Sequence, residues 1–226
     1  MESKQSELYS EDEDIDSWYR YPEYRMWINK LYLADRLGYQ CGPSGIPVPE
    51  EKQYVVRPIM NLAGMSVGAR VATLSPNDKP GQNVPAGYFW QEYFEGIHLS
   101  VDYVRSKTTH GNPFKILNVY EGEKDKEALY RFLKWTKKYY QSIPLPTCIN
   151  NLNVEKLNVE MIMMEDGSKK IIEIHLRNGF DHLMKYSEMI PVFKGEPTRK
   201  DGYTFLKAPA DGYGELLYPR VGYLVK

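Results

Sequence analysis

The sequence has few of the residues from which metal clusters, disulfide frameworks and membrane spans are built. Its 226 residues include two cysteines, Cys41 and Cys148, and four scattered histidines. Two cysteines do not form a disulfide framework, and these positions do not favour a structural zinc site. No apolar run reaches the ~18 residues of a spanning helix, and no cationic segment leads into an apolar one at the N-terminus. These absences predict a reduced, cytoplasmic protein without a membrane partner.

The sequence also lacks a strong net charge. Its formal charge of -1 gives no field that would recruit nucleic acid or an anionic membrane. With 42% hydrophobic and 26% charged residues, the composition is that of a globular protein of one large domain or two small lobes. Residues 1–17 are polar and carry the acidic run Glu11-Asp12-Glu13-Asp14. We therefore predict a disordered acidic tail over 1–17 and a folded domain over 18–226.

The hydrophobic pattern mixes many short strands with two helices. Apolar residues at helical spacing predict helices over 26–37 and 123–140, the second with Leu129, Phe132, Leu133, Thr136 and Tyr140 on its inner face. Runs rich in β-branched and aromatic residues between turn residues predict strands over 54–59, 70–74, 88–94, 99–104, 114–120, 158–164 and 169–176. This mixture favours an α+β fold over a doubly wound parallel sheet.

A glycine-rich loop follows the first of these strands. The strand ends at Arg57-Pro58, and the loop reads Gly64-Met65-Ser66-Val67-Gly68. Small flexible residues let backbone N–H groups approach phosphate oxygens, and an arginine can donate two hydrogen bonds to the same phosphate. An ordinary hairpin turn beside a surface arginine explains the same residues.

Two glutamates flank a tight turn near the middle of the chain. Glu173 lies thirteen positions after Glu160 (173 − 160), across the turn Glu165-Asp166-Gly167-Ser168. Antiparallel pairing brings them close, and they face the same way if the register permits. Opposed like charges destabilise a hairpin, and a magnesium ion held by both would remove that penalty. His175 follows on the same strand face as Glu173 and could touch the metal or a phosphate. The alternative is two exposed glutamates on separate faces.

The segment Gln91-Glu92-Tyr93-Phe94-Glu95-Gly96 ends another strand. Its backbone groups could pair with an adenine edge, and its aromatic flanks could cover the adenine faces. A core strand leading into a turn is the alternative.

In this order, the motifs resemble those of the ATP-grasp superfamily over roughly residues 26–185. Asn29-Lys30 in the first helix, the stretch 45–49 and the strand 54–58 are similar to the start of that family's first ATP-binding lobe. The loop 64–68 resembles its glycine-rich loop, and 91–100 resembles its hinge strand. The segments 158–160 and 173–177 resemble its metal-ligand strands, which usually carry Glu-x-Asn-x-Arg.

The resemblance implies an α+β fold of two lobes, about 50–90 and about 91–226, whose antiparallel sheets clasp ATP and Mg²⁺. Two arginines would be catalytic. Arg57, at a position where the family has lysine, would contact phosphate, and Arg177 would stabilise charge on the transferring phosphoryl group or the acyl phosphate. Glu160, Glu173 and His175 would hold the metal, with His175 replacing the usual asparagine. The nucleotide would contact Arg57, Gly64, Ser66, Gly68, Gln91, Glu92, Phe94 and His98, the last at the position of a ribose-binding glutamate.

The implied activity is ATP-dependent ligation of a carboxylate to an amine or similar nucleophile through an acyl phosphate. The family's preceding α/β subdomain has no counterpart among the roughly 25 residues before the first helix. We therefore expect either that ligase activity is lost or that the core together with a protein partner binds the substrates, which are a small-molecule carboxylate and amine or a macromolecular acceptor. The alternatives are a non-catalytic nucleotide-binding or structural protein and a modifier of nucleic acid or of a protein tail. Lys134, Lys137 and Lys138 are the nearest sequence hint of the last, and a solvated helix face explains them better.

Overall fold

The protein combines two antiparallel sheets with short helical segments, which confirms the predicted α+β class. A computed structural model describes residues 14–60, 66–106, 113–125, 128–179, 185–207 and 220–226. None of the helices in these ranges is long and apolar enough to cross a membrane. The helical segments are α1 (Asp14–Arg20), a 3₁₀ helix (Pro22–Ile28), α2 (Lys30–Arg36) and α3 (Thr147–Asn150).

The smaller sheet has four strands in the order β1-β4-β2-β3. Tyr54 and Val56 alternate along β2 and are fully buried, and the Tyr54 ring meets Trp90 edge-on with centroids 5.3 Å apart. This period-two pattern is what predicts the strand from sequence. The strands are β1 (Cys41–Pro43), β2 (Lys52–Pro58), β3 (Arg70–Leu74) and β4 (Tyr88–Glu92).

The larger sheet has eight strands in the order β11-β12-β10-β7-β6-β5-β8-β9. All its neighbouring strands are antiparallel. They are β5 (Ile97–Arg105), β6 (Phe114–Lys124), β7 (Phe132–Lys138), β8 (Lys156–Met163), β9 (Lys169–His175), β10 (Glu188–Phe193), β11 (Thr204–Lys207) and β12 (Arg220–Val225).

The two faces of the larger sheet differ in chemistry. On one face Val101 lies opposite Val159, and Val159 lies opposite Ile174, within the largest apolar core. On the other face the directly opposed residues are polar: Ser100 with Glu160, and Glu160 with Glu173. Since successive side chains of a strand point to opposite faces, one sheet supplies both a core and a polar platform.

Residues 93–96 connect the smaller sheet to the larger one. Gly96 ends this connection directly before β5, and a Cβ there would collide with the Met163 carbonyl oxygen. Only glycine allows this close backbone approach. The predicted hinge segment therefore lies between the two sheets.

The predicted helix over 123–140 is wrong. Residues 132–138 form β7, which pairs with β6 on one side and with β10 on the other. Trp135, outside the predicted stripe, is buried, whereas Leu133, within it, is 39% exposed. The backbone hydrogen bonds of both neighbours and the burial of Trp135 override the helical spacing.

The predicted tail and first helix also need correction. Asp14 and Ser17 are buried in α1, so the folded part begins before residue 18, and residues 1–13 lie outside the described residues. The predicted helix over 26–37 consists of the end of the 3₁₀ helix and α2, which meet at Asn29. The Asn29 side chain caps α2 by accepting a hydrogen bond from the Tyr32 amide at 2.9 Å.

Candidate functional site

The two glutamates of the acidic hairpin lie directly opposite each other. Glu160 on β8 pairs in register with Glu173 on β9, and a bulge follows at once because Met161 pairs with Ile171. The extra residue, Ile172, is left unpaired in the ladder, as one residue of a bulge always is. The carboxylates share the polar face of the larger sheet, with side chains 20% and 15% exposed.

The bulge joins the larger sheet to the smaller one. The Arg57 guanidinium, at the end of β2, donates to the Ile172 carbonyl at 2.9 Å and to Gln91 Oε1 on β4 at 2.7 Å. Arg57 is 7% exposed, lies over the Phe89 ring at 5.2 Å, and its buried Nε has no hydrogen-bond partner among the described residues. A buried cationic donor without a hydrogen-bond partner among the described residues suits an anionic ligand.

Lys30 supplies a second cation that the sequence analysis missed. Its Nζ lies 3.0 Å from Glu173 Oε1, and the residue is 2% exposed. A charged group so deeply buried must be paired. The signal was present in the sequence, because Lys30 stands on the otherwise apolar face of the predicted first helix.

A buried ion cluster closes one side of the site. Asp14 of α1 accepts two hydrogen bonds from Arg177, from Nε and Nη2, each at 3.0 Å. His175 Nδ1 lies 2.9 and 2.8 Å from the two Asp14 oxygens. Burial raises the pKa of Asp14, but Arg177 and His175 more than offset this and hold it well below its usual value. No sequence signal distinguishes Asp14 from its acidic neighbours.

His98 and Lys124 flank Glu160 on its other side. His98 Nε2 lies 3.2 Å from Glu160 Oε2 but out of line for a hydrogen bond, so both buried ring nitrogens lack such a partner among the described residues. Burial, and then the charge of Lys124, lowers the pKa of His98 and favours a neutral ring. Burial would raise the pKa of Glu160, but the 3.2 Å contact with the His98 ring nitrogen and the charges of His175 and Lys124 hold it below its usual value. Glu160 is therefore an ionised acceptor.

The oxygen donors fit a magnesium ion better than the histidine does. Mg²⁺ is commonly bound by one or two carboxylates together with substrate phosphates, and Glu160 and Glu173 are such a pair. His175 Nε2 lies 3.6 Å from Glu173 Oε1 and 4.0 Å from Glu160 Oε1. Within the described ranges no group of three or more His, Cys, Asp or Glu forms a preformed metal site. Metal binding by Glu160, Glu173 and His175 stays a prediction.

The Asp14–His175 pair leads to a pH-dependent stability. Burial lowers the pKa of His175, but Asp14 reverses this, so the folded pKa exceeds the unfolded value of 6.5. A raised histidine pKa stabilises the fold below the unfolded value, and this contribution is lost as pH rises through the folded pKa. Urea unfolding should therefore show a larger stability gap between the protein and His175→Gln at pH 6 than at pH 9. An equal gap at both values would contradict the ion pair.

The remaining predicted nucleotide contacts lie in the loop and the hinge. Ser66 and Gly68 belong to the connection between β2 and β3, and Gly64 lies outside the described residues. Ser66 has φ 51°, a strained conformation for a residue with a side chain. Their role, like that of Gly64, stays a prediction.

The hinge residues are engaged within the protein. The Glu92 amide donates to the Gln40 carbonyl at 2.9 Å, and the Phe94 ring meets Tyr39 edge-on with centroids 4.9 Å apart. Gln91 is 2% exposed and holds Arg57, so its amide oxygen faces the arginine. Contacts of Gln91, Glu92 and Phe94 with adenine, and of His98 with ribose, stay predictions.

Two antiparallel sheets joined by a short connection, with paired carboxylates on the polar face of the larger sheet, define the class of fold. Solved structures identify it as the ATP-grasp fold. A structure from Archaeoglobus fulgidus assigned to the ATP-grasp superfamily matches with a TM-score of 0.51 and 14% identity, over 97% of this chain and 67% of that one. The likeness is one of fold, and it confirms the predicted resemblance.

Two further structures share this fold. L-amino acid ligase from Bacillus licheniformis matches with a TM-score of 0.54 and 10% identity, over 89% of this chain and 67% of that one. Carboxyaminoimidazole ribonucleotide synthase from Aspergillus clavatus, complexed with ATP, matches with a TM-score of 0.51 and 11% identity, over 89% and 68%. No model of a known protein family matches the sequence, and no curated protein matches it.

Proposed function

We propose that the protein is an ATP-dependent ligase that activates a carboxylate with MgATP and transfers the acyl group to an amine or similar nucleophile. This proposal rests mainly on the in-register pair Glu160 and Glu173, which lies on the polar face of a sheet of ATP-grasp fold. Buried cations lie beside these acids: Lys30 at Glu173, and Arg57 on the neighbouring bulge carbonyl. Paired acids next to cations suit a magnesium-bound polyphosphate.

Each group has a distinct task in this proposal. Glu160 and Glu173 hold the magnesium ion, which would neutralise phosphate charge. Arg57 and Lys30 offer positive charge to the phosphates, and Arg177 stabilises charge on the transferring phosphoryl group or the acyl phosphate. Because such groups act by positioning and electrostatics, most of the rate enhancement would come from the preformed site.

The proposed reaction has two steps and needs only ATP, a carboxylate and a nucleophile. A carboxylate oxygen of the substrate attacks the γ-phosphorus of ATP, and the bond to the β-phosphate oxygen breaks to release ADP. The nucleophile then attacks the carbonyl carbon of the acyl phosphate, and inorganic phosphate leaves while the nucleophile loses a proton. The acceptor is a small amine or a macromolecular one.

Nucleotide binding is the first testable step. The purified protein should show a melting temperature that rises with ATP and Mg²⁺ together, and much less with either alone, because the carboxylates need the ion to accept a polyphosphate. Differential scanning fluorimetry measures this, with EDTA added as the control. A melting temperature unchanged by MgATP would refute the proposal at its first step.

A second candidate function is a nucleotide-binding protein without ligase chemistry. The internal pairing of the two arginines favours it, since Arg57 is held by Gln91 and Arg177 by Asp14. A protein that binds MgATP yet releases no ADP with broad panels of carboxylates and amines would be of this kind. Release of ADP that requires both a carboxylate and a nucleophile would identify the ligase.

A further inference from the structure

The ion cluster at Arg177 has the geometry of an occupied carboxylate site. Arg177 grips both Asp14 oxygens in a bidentate fork, with Nε and Nη2 each 3.0 Å from one oxygen. His175 Nδ1 adds a third contact at 2.8 Å to Oδ2. Parallel N–H···O bonds from a guanidinium are the usual means by which proteins recognise a free carboxylate. The carboxylate bound here comes from the protein's own chain.

The cluster is adjacent to the paired glutamates. His175 faces Asp14 with Nδ1, while its Nε2 lies 3.6 Å from Glu173 Oε1 and 4.0 Å from Glu160 Oε1. One imidazole ring therefore separates the Asp14 carboxylate from the proposed magnesium ligands. A carboxylate that reacts with a magnesium-bound nucleotide must come to this part of the molecule.

Burial makes the cluster selective for its occupant. Arg177 is 7% exposed and His175 is 9% exposed. A buried cation that loses its counter-ion is strongly destabilised, so Asp14 leaves readily only when another anion takes its place. Because the fork and His175 are already arranged around the planar Asp14 carboxylate, another carboxylate fits the same contacts.

Helix α1, which carries Asp14, is held in place by its contacts with the rest of the protein. Helix α1 has only seven residues, and an isolated helix of that length is not stable in water. Besides Asp14, its anchors include Trp18, which packs against the largest apolar core, a Ser17 hydroxyl bond to the Leu176 carbonyl at 3.1 Å and an Arg25 bond to the Trp18 carbonyl at 2.8 Å. Loss of the Asp14 contacts removes the anchor of the first turn and should raise hydrogen exchange in α1.

We propose that Arg177 and His175 form the site for the substrate carboxylate, and that Asp14 occupies this site as an intramolecular competitor until a substrate carboxylate displaces it. The inference rests on the proposed ligase function for the identity of the displacing anion. It makes α1 a built-in inhibitor, because the site is closed to substrate whenever Asp14 is seated. It also explains how two buried cations stay paired in the absence of ligand.

Hydrogen exchange of the wild-type protein tests the displacement directly. Sodium succinate is titrated at constant ionic strength set with sodium chloride, and exchange is followed in the peptide covering residues 14–21, including the Tyr21 amide that donates to the Ser17 carbonyl at 2.9 Å. We expect protection of this peptide to fall saturably with succinate and to stay unchanged with chloride. Unchanged protection in succinate would overturn the proposal and make Asp14 a structural ion partner. Loss of protection with sodium phosphate but not with succinate would overturn it too.

Two variants sharpen the result. Asp14→Asn keeps the shape but removes the charge, so it should expose the 14–21 peptide without added anion and bind succinate about tenfold more tightly or better by calorimetry, since the competitor is gone. Glu23→Gln removes an acidic charge at an exposed position of the adjacent 3₁₀ helix and should behave as wild type. Equal succinate affinity in wild type and Asp14→Asn would count against the competitor role.

The melting-temperature shift with MgATP tests the proposed ligase function independently of the succinate experiment. Succinate-dependent exchange without an MgATP shift would leave the carboxylate site standing and refute the ligase. An MgATP shift without succinate-dependent exchange would refute the carboxylate site and leave the proposed ligase function standing.

Discussion

Replacing both Glu160 and Glu173 with glutamine is expected to weaken Mg²⁺-dependent ATP binding about a hundredfold or more and to abolish nucleotide turnover. The two carboxylates oppose each other in register, and Glu160 is held ionised by its neighbours. Glutamine keeps the size and one oxygen but removes the charge that a hard divalent cation requires. Calorimetric titration with MgATP, and with ATP in EDTA, measures the loss.

The single variants should differ in stability without ligand, which separates the two acids. Glu160→Gln removes a charge that His98, His175 and Lys124 favour but also relieves a like-charge pair, so its net cost should be smaller than that of Glu173→Gln. Glu173→Gln deprives the buried Lys30 of its partner and should lower the denaturation midpoint. Glu155→Gln, at an exposed position before β8, is the matched control and should change neither property. Tight MgATP binding by the double variant would contradict the metal-ligand assignment.

The acidic hairpin shows how far sequence alone can go. The tight turn and the thirteen-residue spacing predict antiparallel neighbours, and the observed pairing of Glu160 with Glu173 resolves the register that the sequence left open. The bulge at Ile172 was not predictable, because no glycine or proline marks it. Yet that bulge provides the carbonyl that accepts from Arg57 and so connects the two sheets.

Contacts between residues far apart in the chain are a second limit on what the sequence can predict. Arg57 meets Gln91 across 34 positions, whereas Asp14 meets Arg177 across 163. Local patterns place Arg57 and Gln91 on strands that can pair, but nothing near Asp14 indicates that it is buried. In the same way, β7 reads as a helix because its apolar spacing is ambiguous, and only its neighbours β6 and β10 decide its state. The motifs that are recognised by their order along the chain were therefore predictable, whereas the counter-ion Asp14, which completes the site, was not.

Lys30→Met is the second variant with a large expected effect. Lys30 is 2% exposed, and its Nζ is 3.0 Å from Glu173 Oε1. Methionine fills a similar volume but leaves Glu173 without its nearest cation and directly opposite the ionised Glu160. Removing one partner of a buried pair costs about 3–5 kcal/mol, so we expect a loss of this order in urea unfolding. Replacing both partners, as in Lys30→Met with Glu173→Gln, should cost less than the sum of the two single changes, because neither charge is then left unpaired.

The effect of Mg²⁺ on stability should show whether the Lys30 ammonium only stabilises the fold or occupies the place where the ion would neutralise Glu173. If Glu160 and Glu173 bind Mg²⁺, the ion supplies to Lys30→Met the positive charge that the substitution removed. Added MgCl₂ should then recover more of the lost stability in Lys30→Met than it adds to the wild-type protein, at ionic strength matched with NaCl. The variant Lys30→Met with Glu173→Gln, which lacks one carboxylate, should show no such recovery. Equal effects of Mg²⁺ on the wild type and Lys30→Met would mean that Lys30 stabilises the fold and that Glu173 has no part in binding the ion.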